Sequence, residues 1–187
     1  MSDRLVTAPS SDPVTVDELK AHLRVTTDEE DATLASYITA AREYIERQTG
    51  RALGEQVRET SADAFPRGNS IPLGFAPVVS IESVKYIDPD GVEQTLTEDS
   101  YLEDTRSEPG HLVLAPGKSW PIAAQIPSSV RIGYKCGIQA SATMKQAVLF
   151  LAAHWAEQRV PVNIGNIVND IPHSLDALIW SNRVLCP

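Results

Sequence analysis

The residues of this chain with reactive potential are an acidic run, Asp28-Glu29-Glu30-Asp31, four histidines, His22, His111, His154 and His173, and two cysteines, Cys136 and Cys186. Paired carboxylates can share a proton, histidines can ligate zinc, and a thiolate can attack an electrophile. The spacing supports none of these. Neighbouring positions on a helix point about 100° apart, so the acidic run does not converge; it reads instead as negative charge at a helix start. The histidines lack an H-E-x-x-H pattern. The cysteines lie 50 residues apart with no C-x-x-C, which points to reduced thiols without a metal or disulfide framework. No G-x-S-x-G elbow occurs, and Gly137-Ile138-Gln139-Ala140-Ser141-Ala142-Thr143-Met144-Lys145 keeps only the first glycine of a phosphate loop. The expectation is no catalytic residue, no cofactor and no metal.

The elements that would have carried such groups are those of a soluble α+β protein made in the cytoplasm. At 187 residues the chain can bury a core without staples. It has no apolar run near the 20 residues needed to cross a membrane, and no apolar leader at its start. Net charge is 16 − 25 = −9, distributed as −5 over residues 1–50, −4 over 51–140 and 0 over 141–187. Gripping phosphates requires clustered Lys and Arg, and no stretch supplies them. Tight DNA binding is not expected.

Residues 1–13 are polar and read as a flexible arm. Thr15 and Glu18 form a capping box opening a short helix over 16–24. A second helix is predicted from about Asp28, with Leu34, Tyr37, Ile38, Ala41, Tyr44 and Ile45 on one stripe and Gly50 as its left-handed cap. Residues 54–139 alternate short β-branched runs with turns, the texture of a small antiparallel β domain inserted in the helical one. Within it, 81–87, Asp88-Pro89-Asp90-Gly91 and 92–96 read as a hairpin, with a bulge between Ile81 and Val84. Val130–Cys136 is the clearest strand, with Val130, Ile132, Tyr134 and Cys136 on one face.

Ser141 caps a long helix over 142–158 whose apolar arc is too wide for one stripe. Such a helix is buried on more than one side, either centrally in the monomer or against another subunit, and Phe150, His154, Trp155 and Arg159 are the candidates for a subunit interface. Residues 160–172 read as a linker and Ser174 as the cap of a last short helix. Ile179, Trp180, Arg183, Val184 and Leu185 then form a group at the chain end with two readings, a helix that packs back on its own domain or a docking group on a tethered arm, Trp and Arg being the residue types that anchor interfaces.

Several segments, in their order and spacing, resemble the head-tail connector (adaptor) proteins of tailed bacteriophages and gene transfer agents. They are Val14–Val25, the helix ending Thr49-Gly50-Arg51-Ala52-Leu53, Pro77–Ile81 leading to the Asp90-Gly91 turn, Trp120-Pro121, Val130–Gly137 and Lys145–Arg159. The resemblance implies a virion protein: a homo-oligomeric ring of twelve copies between the portal protein and a tail stopper or tail terminator, extending the conduit for double-stranded DNA without binding it specifically and without touching a membrane. The docking group would then meet the portal, residues 171–187 would be removable without loss of folding, and the lumen would be negative or neutral. Ala156 stands where an aromatic usually follows the Trp of this family, and Cys136 where a small Ala is usual. A different virion or tail-completion binding module, and after it a small cytosolic enzyme, are the competing readings.

Overall fold

The computed structural model describes residues 1–158 and 173–184. The linker read over 160–172, Arg159, the side chain of Ser174, Leu185 and Cys186 lie outside the described residues. Among those described there are four α-helices and two antiparallel sheets, an α+β fold. The chain divides into two compact units, Ser11–Gly54 with Gln139–Arg183, and Met1–Ser10 with Glu55–Ile138 and Val184–Pro187.

The first unit is helical: α1 (Val16–Leu23), α2 (Asp31–Thr49), α3 (Ala142–Glu157) and α4 (His173–Asn182). Thr15 and Glu18 close the expected capping box on α1, the Glu18 amide donating to Thr15 Oγ1 at 3.2 Å and the Thr15 amide to Glu18 Oε2 at 2.8 Å. Ser141 caps α3 through the Met144 amide, and Gly50 ends α2 at φ +69°. Helix α2 starts at Asp31 rather than Asp28. Its acids are drawn elsewhere: Lys20 of α1 reaches across to Asp28 Oδ1 at 2.5 Å and Asp31 Oδ1 at 2.9 Å, tying the end of α1 to the approach of α2.

Leu19, Leu34, Ile38, Ala41 and Ile45 pack with Met144, Val148 and Leu151, and Leu175 and Ile179 of α4 join the same core. Arg42 and Glu46, one turn apart on α2, are buried with them, each side chain 3% exposed. Arg42 Nε donates to Asp12 Oδ1 at 2.6 Å and Nη1 to Glu46 Oε2 at 3.0 Å, while Glu46 Oε1 accepts from the Leu53 amide at 2.8 Å. Each buried charge is thus answered by an opposite charge or a backbone donor, the condition for keeping it in an apolar interior.

The second unit is β-rich. Strands β1 (Ser2–Thr7), β2 (Gln56–Ala62), β4 (Val78–Ile87), β5 (Glu93–Thr95) and β8 (Val130–Cys136) form a five-stranded sheet in the order β1-β2-β8-β4-β5; β3 (Ser70–Pro72), β6 (Tyr101–Asp104) and β7 (His111–Leu114) form a second, in the order β3-β7-β6. The β4–β5 hairpin turns at Gly91, φ +83°, and β4 shifts register between Ile81 and Ser83, where the parity change falls. Gly110 lies so close to β4 that a Cβ there would come within 2.6 Å of Val78 Cγ2. Strand β8 alternates as its sequence demands, with Cys136 buried.

The expectation that residues 1–13 form a flexible arm is corrected here: Ser2–Thr7 is a strand on the edge of the larger sheet. One carboxylate pins it. Asp3 Oδ1 accepts from Arg58 Nε at 2.6 Å, and Oδ2 accepts from Tyr134 Oη at 2.6 Å and Thr60 Oγ1 at 2.9 Å. Arg58 lies over the Phe75 ring, its Cζ 3.5 Å from the centroid, and donates from Nη1 to Gln56 Oε1 at 3.2 Å. Burial, reinforced by the Asp3 charge, pushes the Tyr134 phenol far above its ordinary range and keeps it a donor.

Removing one partner of a buried ion pair strands the other, so Asp3→Ala should cost about 3 kcal/mol or more in chemical denaturation. Arg4→Ala, which removes a pair on the exposed face with Glu59, should cost under about 0.5 kcal/mol. Equal effects would mean that Asp3 does not hold the strand.

Candidate assembly surfaces

At 3.6 residues per turn, the buried positions of α3, Met144, Ala147, Val148, Leu151, Ala152, Ala153 and Ala156, sweep an arc of roughly 240°. One strip remains open, and it sorts the interface candidates. Phe150, 37% exposed, stands on that strip with the half-buried His154 beside it. The ring of His22, from α1, leans on Phe150 at 5.8 Å between centroids. Trp155 instead points toward the interior and meets Tyr44 of α2 edge-on at 6.3 Å. Ala156 is buried in the same core, so the small side chain at that position answers to packing within the unit.

The docking group also divides. Ile179 is buried in the helical core beside Leu175, and Arg51 Nε donates to the Asn182 carbonyl at 2.7 Å. The last helix is therefore packed on its own unit rather than held out as an arm, because its apolar positions complete the cover of α2 and α3. Ile179 is not available as a docking side chain. Trp180, on the opposite side of α4, is 67% exposed, and Arg183 Cζ stands 5.3 Å from its ring centroid. Val184 is half-buried and counts with the β-rich unit. Trp180 and Arg183 remain as the exposed, interface-type residues of the group.

The surface charge is acidic and largely self-compensated. Between Asp88 and Glu108 stand eight acids against one base, Arg106. Some of these acids are structural: Asp88 Oδ1 accepts from the Asp90 and Val92 amides in the hairpin turn, and Asp104 from the Arg106 and Ser107 amides. Of the β-rich unit's bases, Arg4, Arg58, Lys85, Lys118, Arg131 and Lys135 are engaged in ion pairs; Arg67 and Arg106 are the others, so among the described residues of this unit there is no row of unpaired cations to track a phosphate backbone. The Lys118 ammonium, 2.8 Å from Asp99, with the nearby Thr97 hydroxyl, draws the Asp99 carboxyl down to about 2.

Asp3, Arg58, Thr60 and Tyr134 were not singled out as a set from the sequence. Strand alternation puts Tyr134 on the buried face, but its partner lies 131 residues away. The nearest signal was the apolar Leu5-Val6 within an otherwise polar opening.

The chain matches the head completion protein family over residues 13–165 and belongs to that family, one of the phage and gene-transfer-agent head-tail connectors that the sequence resembles. Among solved structures it is similar, at 25% identity and a TM-score of 0.79, to a chain in the neck of a native gene transfer agent particle computed with C12 symmetry; 100% of this chain and 97% of that one are covered. It is likewise similar, at 27% identity, the same coverage and a TM-score of 0.77, to chains in the neck of an empty gene transfer agent particle computed with C6 symmetry and in the virion of the native particle. No curated protein matches it.

Two measurements check this arrangement. Ile179→Ala should cost about 2–4 kcal/mol, whereas Trp180→Ala should change stability by less than about 0.5 kcal/mol; a large loss at Trp180 would place that ring inside. In an NMR titration the Asp99 carboxyl should show a midpoint of about 2, returning toward 3.8 in Lys118→Ala. Because its folded value is depressed, its contribution to stability is full above the unfolded value and is lost as pH falls from about 4 toward 2.

Proposed function

We propose that the protein is a structural ring component of the virion neck, seated between the portal protein and the tail stopper or terminator, where it extends the DNA conduit. In this reading the β-rich unit is an insertion in the helical one, and the work is mechanical. The observation that carries it is the likeness along the full chain to neck components at a TM-score of 0.79, together with family membership. The paired bases and the acidic 88–108 surface support the conduit: a lining that repels phosphates lets DNA slide, whereas rows of unpaired Lys and Arg would hold it. Twelve copies is the number we favour, in keeping with the C12 symmetry of one of the similar necks.

The docking group narrows to Trp180 and Arg183. Removing residues 171–187 no longer separates docking from folding, since Leu175 and Ile179 belong to the core. The double variant Trp180→Ala/Arg183→Ala does. Mixed with its portal protein and followed by mass photometry and negative-stain imaging, the wild-type chain should add a ring to the portal. The double variant should lose portal binding by tenfold or more, about 1.4 kcal/mol, with an unchanged circular dichroism spectrum. Binding to tail components alone would defeat the portal reading.

A further inference from the structure

Strand β1 is held in an unusual way. Every residue from Ser2 to Thr7 except Asp3 is exposed, so the strand contributes little apolar burial to its own sheet. Met1, Leu5 and Val6 leave 71%, 37% and 55% of their surface open, and among the described residues no strand pairs with the outer edge of β1. An edge of this kind is a template for another chain unless something covers it. Beneath it the slot is demanding. Without a carboxylate at the Asp3 position, the buried Arg58 guanidinium would lose its opposite charge, and the Thr60 and Tyr134 hydroxyls would lose their acceptor. The slot must be filled by a strand carrying that carboxylate, and on its C-terminal side the strand runs directly into the helical unit, through Ser10 and Ser11.

From these features we infer that β1 is an exchange element: in the ring, the β1 of one copy occupies the slot beside β2 of the adjacent copy, Asp3 engaging the neighbour's Arg58, Thr60 and Tyr134. This rests on the ring reading above. The contacts made in the neighbour are identical to those made within one chain, so the choice is set by geometry and effective concentration. Closed cyclic assembly holds a neighbouring copy at an effective concentration on the order of millimolar. Exchange of an identical element costs little, and in a ring it closes without a leftover strand. The exposed Met1, Leu5 and Val6 would then lie at the junction between copies.

Ser2 and Ser61 report which chain fills the slot. They are paired across β1 and β2 with their hydroxyl oxygens 2.8 Å apart, close enough for cysteines at these positions to form a disulfide. In a Cys186→Ser background, chains carrying only Ser2→Cys are assembled on portal with chains carrying only Ser61→Cys, then oxidised. A disulfide-linked band of two chains on a non-reducing gel is the expected result. A second measurement uses one chain with both cysteines, oxidised as a monomer so that β1 is locked in its own slot. It should fail to form rings, and reduction should restore them. Rings that form normally from the locked chain, with no link between singly substituted chains, would overturn the exchange and leave the ring standing. Failure of wild-type chains to form any ring would overturn the ring reading, and the exchange with it.

Discussion

The helical unit depends on one constraint: α3 buries roughly two-thirds of its circumference and so must be covered from several sides at once. Ala147, Ala152, Ala153 and Ala156 keep it slim enough for close approach, while Met144, Val148 and Leu151 supply the bulk of the contact. Helix α2 offers Leu34, Ile38, Ala41 and Ile45 along one side, Leu19 brings in α1, and Leu175 and Ile179 bring in α4. The fate of the last helix follows from this. A short helix whose apolar residues complete the cover of another cannot also serve as a free arm, and only its outward residues, Trp180 and Arg183, remain for a partner. The open strip of α3 at Phe150 and His154 is the complementary case.

Much of this was legible along the chain because it is local. The capping box at Thr15 and Glu18, the left-handed Gly50, the Ser141 cap, the Gly91 turn and the alternation of Val130–Cys136 are each set by residues within a few positions of one another, where backbone geometry and donor satisfaction leave few options. The parity change after Ile81 is of the same kind. What the sequence concealed is non-local. The start of α2 moved to Asp31 because Asp28 answers Lys20 of another helix. Ile179 reads as readily for a docking face as for a core, since periodicity reports that a stripe is buried and not what buries it. Strand β1 was hidden most deeply: its side chains are polar or exposed, and its place is fixed by a tyrosine and an arginine far along the chain.

Such hidden anchors differ in kind from the apolar core. An apolar core resists unfolding but is non-directional, whereas a buried carboxylate–guanidinium pair with its hydroxyl partners accepts one geometry. That property fixes register on the edge of a sheet, where alternation alone is weak because only Asp3 of the strand points inward and leaves the exposed face.

The two aspartates nearest the start of the chain show the same device used twice. Asp3 receives Arg58 Nε at 2.6 Å in the β-rich unit, and Asp12 receives Arg42 Nε at 2.6 Å in the helical unit, where Thr39 Oγ1 also donates to it at 2.8 Å. The segment between them, which carries the chain from one unit to the other, is therefore clamped at each end by a largely buried ion pair. Exposed pairs such as Arg4 with Glu59 are weakened by salt, while buried pairs are screened far less. Anchors of this kind therefore keep their strength over a wide range of salt. Placing these charges inside ties each unit's chain firmly, while Lys85, Lys118 and Lys135 on the surface are paired with local acids.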